Sequence, residues 1–147
     1  MNSLMVNNWP FQWWGYFDVQ PSPQLPSLDE ISDPDWKVEN IERIIRYLQK
    51  SPVYIVCIGK PEIWICDICG GLVSKDNSLH LSDGTWVWPS GIEHFICRHS
   101  LVLPPKMIEH IRSRRYNLPK KITIDFNNII KVGQEKESLD KYRHADP

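Results

Sequence analysis

The sequence predicts an α+β domain: a small, mostly antiparallel sheet with about three helices around it, closed by a clip between a cysteine turn and a helix. Three observations predict it. A stripe of apolar residues at helical period runs through 32–51. Short β-branched or alternating segments follow, separated by turn dipeptides. Two cysteines three positions apart, Cys66 and Cys69, are answered downstream by the histidines His94 and His99.

The first element is "SDPDWKVENIERIIRYLQKS". Asp33 or Asp35 can cap its N-terminus and Pro34 suits its first turn. Val38, Ile41, Ile44, Ile45 and Leu48 form one face. Lys50 suits the C-terminal end of the helix dipole, and Pro52 stops the helix. "VYIVCI", Val53 to Ile58, reads as a buried strand, and "GKPE" turns it into a second, "IWIC". "SLHLSDGTWVW" reads as two strands joined around Asp83-Gly84, a favoured hairpin dipeptide. Pro89 and Ser90 open a short helix, "PSGIEHFICRH", with Ile92, Phe95 and Ile96 inward. A further helix, "PPKMIEHIRSRRY", turns Met107, Ile108 and Ile111 inward. "KKITIDF" is a late strand, and the polar tail "GQEKESLDKYRHADP" frays or ends in a weak helix.

This divides the 147 residues into three parts. Residues 1–35 are an irregular, acidic, Trp- and Pro-rich segment packed on the domain; 36–132 are one α+β domain; 133–147 are the tail. The length suffices for a core without staples. The densely aromatic "NNWPFQWWGYFD" argues against a disordered N-terminus, because disordered chains are poor in aromatics. Core packing of those rings is the favoured reading. A binding face made of Trp9, Trp13, Trp14 and Tyr16 is the alternative, since Trp and Tyr are enriched at interaction hot spots.

No basic region followed by an apolar run opens the chain, and the apolar runs are too short to span a bilayer. The expectation is a cytoplasmic protein with reduced thiols, in which paired cysteines point to metal or redox chemistry before disulfides. The net charge of −1 hides an asymmetry. Residues 1–35 hold five carboxylates and no Lys or Arg, whereas 106–121 hold six cations against Glu109. Within the second region Arg112, Arg114, Arg115, Lys120 and Lys121 are candidate phosphate contacts. A solvated helix end is the plainer reading, and the overall charge is not that of a typical DNA binder.

The cysteine pair carries the chemistry. A C-x2-C turn supplies two thiolates from one tight loop, and Gly70-Gly71 lets backbone N–H groups approach the sulfurs. H-x3–5-H is the usual second half of a tetrahedral Cys2His2 zinc site. His94 and His99 fit it, on a helix whose end brings both rings to one side. Cys97, three residues after His94, competes for the fourth position. Redox chemistry fits least: Asp67 lies between the cysteines and would raise a thiol pKa. Cys57 reads as an inert core thiol, and His80, His110 and His144 as ordinary satisfied histidines. Four protein ligands leave no open position, so the zinc reads as structural. A hydrolase would need a three-ligand site, with Glu93 as its base. No P-loop, nucleophile elbow, dinucleotide fingerprint or H-E-x-x-H motif is present.

Residues 64–111 resemble a family of small uncharacterised bacterial proteins. That family carries a C-x-x-C-G knuckle and an L-T-D-G-x-x-x-W-P-x-G-L-x-H-Y-x-x-x-H-x-V-x-L-P run followed by a helix. The matching positions are Cys66, Cys69, Gly70, Asp83, Gly84, Trp88, Pro89, Gly91, His94, His99, Val102, Leu103 and Pro104. Phe95 stands where the family has tyrosine, and Cys97 lies outside the motif, which weakens it as a ligand. The resemblance implies a compact metal-binding domain of the bacterial cytoplasm, of a kind that also occurs beside secreted toxins as immunity proteins. The function expected is a non-enzymatic, zinc-stabilised protein-binding module, with a toxin-neutralising immunity protein as its sharpest form. A nucleic-acid-binding zinc protein is the alternative, and a zinc-dependent hydrolase ranks last.

Overall fold

The computed structural model describes residues 3–56, 62–118, 120 and 139–143. The predicted α+β class holds. Two small antiparallel sheets are surrounded by helices, three of which have seven residues or more. Among the described residues no helix is long and apolar enough to cross a membrane.

Helix α1, Ser3–Asn7, and a 3-10 turn at Asp29–Ile31 lie within the segment predicted to be irregular. Helix α2 spans Ile41–Lys50, starting well after the Asp33 and Asp35 caps the sequence suggested. The reason is partly local and partly long-range. Asp33 precedes a proline, which disfavours helical backbone. Its carboxylate accepts from the Asp35 N–H at 2.9 Å, and its own N–H donates to the Ser100 carbonyl at 2.9 Å. Asp33 therefore builds a side-chain turn. The apolar stripe behaves as read, with Ile44 and Leu48 fully buried and Val38, Ile41 and Ile45 partly so.

Strand β1, Val53–Val56, pairs with β4, Leu79–Ser82, which pairs with β5, Val87–Pro89. The β4–β5 hairpin turns around Asp83-Gly84 as predicted, with Leu81 opposite Trp88. The second sheet is a hairpin of β2, Trp64–Ile65, and β3, Leu72–Ser74. Strand β3 was not legible in the sequence. Helices α3, Ile92–Arg98, and α4, Pro105–Ser113, follow with the predicted inward faces. A four-residue helix, α5, spans Asp140–Arg143 in the tail. The strand expected at 120–126 lies outside the described residues apart from Lys120, as do Cys57 and His144.

The N-terminal tryptophans are core, which corrects the alternative of a Trp-lined binding face. Trp9, Trp13 and Trp14 are each 1% exposed. The Trp9 ring meets those of Trp13 and Trp14 edge-on, with centroids 4.8 and 4.7 Å apart. Buried indoles need a partner for their N–H. Trp9 Nε1 donates to the Trp13 carbonyl at 2.8 Å and Trp14 Nε1 to the Val102 carbonyl at 3.0 Å. The backbone joins in: Trp14 N donates to Val87 O at 2.9 Å, and Val87 N to Gln12 O at 3.0 Å, so this segment lies beside β5. Tyr16 is half-buried, its hydroxyl 2.5 Å from His80 Nδ1. Burial holds the His80 imidazole below its usual range.

The tail closes back on this segment. Arg143 is 8% exposed, 2.6 Å from both Glu30 and Asp140. It also donates to the Leu25 carbonyl at 3.0 Å.

Candidate metal centre

Strand β2 delivers Cys66 to a tight knuckle. Cys66 N donates to Gly71 O and Gly70 N to Cys66 O, both at 2.9 Å. The chain then returns as β3. Space is tight where it leaves the knuckle: a Cβ on Gly71 would lie 3.2 Å from His94 Cε1 and 3.3 Å from Cys69 Sγ. The other half comes from α3, where His94 sits in the first turn and His99 ends the helix. Gly91 sets the distance between the halves. At φ +92° it precedes α3, and a Cβ there would stand 2.3 Å from the Val73 carbonyl oxygen.

The four side chains that the spacing singled out come together. Cys66 Sγ lies 3.3 Å from His99 Nε2, and Cys69 Sγ 3.4 Å from His94 Nε2. All four donor atoms lie within 4.8 Å of one another. In a tetrahedral site with metal–sulfur bonds of about 2.3 Å and metal–nitrogen bonds of about 2.0–2.1 Å, sulfur and nitrogen are about 3.5 Å apart. The group is therefore close enough to hold a metal ion and of the right donor types. The Gly71 N–H points at Cys69 Sγ from 3.4 Å, as expected of a backbone donor supporting a thiolate. Burial first, then the neighbouring His99, keeps the His94 imidazole below its usual pKa, in the neutral form a metal needs. Cys97 is exposed and lies outside the group, so the structure does not place the competitor in the site.

The basic candidates scatter. Arg114 is turned inward, which corrects its reading as a phosphate contact: its Nη1 donates to the Asp83 carbonyl at 2.7 Å and to the Tyr47 hydroxyl at 3.1 Å. Arg112 donates to the Glu39 carbonyl at 3.4 Å. Arg115 and Lys120 are exposed, and Lys121 lies outside the described residues.

Two features escaped the sequence reading. The first is a buried polar network centred on Asp83, which is 1% exposed. Its carboxylate accepts from the N–H groups of Thr85 and Trp86 at 2.9 and 2.8 Å and from the Tyr47 hydroxyl at 2.6 Å. His110 Nε2 lies 3.0 Å from it and Arg114 3.5 Å. The second is an apolar group on the knuckle hairpin. Ile63, Ile65, Ile68 and Leu72 are 64, 48, 65 and 51% exposed, and are four of the six exposed large hydrophobic side chains among the described residues. Ile65 and Leu72 are cross-strand partners. The signal was the alternation in "IWIC": Trp64 and Cys66 on one side, Ile63 and Ile65 on the other.

Comparison with protein-family models, with curated proteins and with solved structures returns no match. The family resemblance drawn from the knuckle and the D-G-x-x-x-W-P run thus rests on those residues alone.

Proposed function

We propose that the chain is a non-enzymatic protein-binding module, held in shape by a structural zinc ion on Cys66, Cys69, His94 and His99. The observation that carries the reading is the exposed apolar group Ile63, Ile65, Ile68 and Leu72 on the hairpin that bears both cysteines. Apolar side chains clustered on a surface mark interaction sites more often than isolated ones do. A metal bound at the knuckle would fix the hairpin and so preorganise that surface. The donor set supports zinc, since two thiolates and two imidazoles are its common structural combination. Four protein donors leave no coordination position for water, which counts against a hydrolase working through Glu93. The contact surface moves accordingly from the tryptophans to the hairpin.

The experiment is capture from native lysate by the tagged wild type, by Ile65→Glu/Leu72→Glu and by Cys66→Ser. A stoichiometric protein held by the wild type and released by both variants is expected. Capture of nothing stoichiometric, or capture unaffected by the double variant, would remove the proposed surface.

A further inference from the structure

The helix that buries Ile44 and Leu48 carries a second stripe on another side. Arg43, Arg46, Tyr47 and Lys50, at i, i+3, i+4 and i+7, line one cavity together with Tyr116 and Asn117. Its volume is about 310 Å³, at the small end for ligand pockets. The floor is rigid: the Tyr47 hydroxyl is tied to Asp83 at 2.6 Å and to Arg114 at 3.1 Å. The wall is strained. Arg115 and Tyr116, consecutive and neither of them glycine, have φ of +55° and +60°. Left-handed backbone in bulky residues is costly and gathers at functional sites. Here it folds the Tyr116 ring back onto α2, where the Arg43 guanidinium sits 4.3 Å from its centroid. The Asn40 amide donates to the Tyr116 hydroxyl at 3.3 Å.

Among the described residues the charge of this stripe is not balanced. Arg114 is matched by the buried Asp83. Arg43, Arg46 and Lys50 form no ion pair with any carboxylate among the described residues. The dipole at the C-terminal end of α2 accounts for Lys50 but not for the two arginines, which lie further from that end. Two guanidinium groups and an ammonium around one small concavity are suited to a compact anion of more than one charge, which Arg recognises by paired hydrogen bonds.

We propose that this cavity binds a small phosphate or diphosphate ester, gripped by Arg43, Arg46 and Lys50 against the ring of Tyr116. The site is about the size of one such group, not a track for a nucleic-acid strand, and it does not depend on the metal centre.

Isothermal titration of the full chain with inorganic pyrophosphate tests it, at low and at physiological salt. Saturable one-to-one binding is expected, weakened about tenfold or more by Arg43→Ala and by Arg46→Ala. All three cations of the stripe are exposed, so an unchanged unfolding midpoint is expected for Arg46→Ala, and only a small drop for Arg43→Ala, which also loses its contact with the Tyr116 ring. Lys106→Ala removes one charge from α4 outside the cavity and should change affinity by less than about twofold. Three results would each overturn the site: no saturable binding, equal weakening by Lys106→Ala, or binding of a single-stranded RNA oligomer with steep salt dependence but not of pyrophosphate.

Discussion

The Tyr47 hydroxyl donates a 2.6 Å hydrogen bond to the Asp83 carboxylate, joining helix α2 to the turn of the β4–β5 hairpin. His110 and Arg114 reach the same carboxylate from α4 and its C-terminal end, so one buried group ties three segments together. Removing it leaves several donors without a partner. Asp83→Ala should cost about 3–5 kcal/mol, the scale for breaking a buried charge network. Tyr47→Phe, which removes one bond to a charged acceptor, should cost about 1.5–3 kcal/mol. Urea unfolding of the two variants checks both values, and a loss below 1 kcal/mol for Asp83→Ala would mean that the network is an ornament of the fold.

The same bond sets a pH dependence. Burial first, then the hydrogen bond to Asp83 and its charge, pushes the Tyr47 phenol well above its ordinary value. A tyrosine in the unfolded chain ionises near pH 10, whereas the folded chain holds Tyr47 neutral. The unfolded state therefore loses this proton first, and the stability that Tyr47 contributes is full below about pH 10 and declines as pH rises above it. The expected result is a fall in the unfolding midpoint above pH 10 that is shallower in Tyr47→Phe. Parallel slopes for the two proteins would contradict it.

The candidate metal centre gives a prediction read in metal content. One zinc per chain by non-denaturing mass spectrometry is expected for the wild type and for Cys97→Ser, and none for Cys66→Ser, His94→Ala or His99→Ala. A site filled at about a thousandfold above its dissociation constant contributes about 4 kcal/mol. For a chain of this size, chelation should lower the thermal midpoint by roughly 10 °C. Retention of zinc without His99 but not without Cys97 would move the fourth ligand.

How much of this was legible in the sequence depends on the distance over which each feature is decided. The grouping of Cys66, Cys69, His94 and His99 was legible because a candidate metal site is read from residue type and spacing, and each half is local, one a tight turn and the other a single short helix. The inward faces of α2, α3 and α4 were legible from their period. The start of α2 was not, because Asp33 gives its N–H to Ser100, far away in sequence. Strand β3 was hidden because "LVS" is too short for a pattern and becomes a strand only by pairing with Trp64 and Ile65. The role of Asp83 was half visible: its turn chemistry is local, but the partners of its carboxylate, Tyr47 and His110, come from other helices. The tryptophans show the limit of composition, which gives the same reading for a core ring and an interface ring until burial is known.

The aromatic core yields a prediction that separates those two roles. Trp13 is 1% exposed, meets Trp9 edge-on and stacks on Phe11 at 5.3 Å with the rings 6° from parallel. Trp13→Ala should destabilise by about 3–5 kcal/mol, because the Trp9 ring, pinned by its Nε1–H bond to a backbone carbonyl, is not free to collapse into the cavity left. Partner capture by the fraction that stays folded should be unchanged. A stable Trp13→Ala protein that lost its partner would return the binding role to the N-terminal rings.

Gly91 gives the sharpest test of how the two halves of the candidate metal centre are spaced. Its φ of +92° is strained for any side chain, and a Cβ would stand 2.3 Å from Val73 O, 2.8 Å from Val73 Cγ1 and 2.9 Å from Val73 C. Two of those three atoms are backbone of β3 and cannot rotate away. Left-handed strain and overpacking each cost about 1–3 kcal/mol, so Gly91→Ala should lose about 2–5 kcal/mol. It should also push β3, and the knuckle that precedes it, away from α3, separating Cys66 and Cys69 from His94 and His99. The joint outcome expected is a lower unfolding midpoint and weaker zinc retention in a chelator competition, although no ligand has been changed. A midpoint loss with wild-type zinc affinity would show that the hairpin docks on α3 through the metal alone, with Gly91 serving only the backbone.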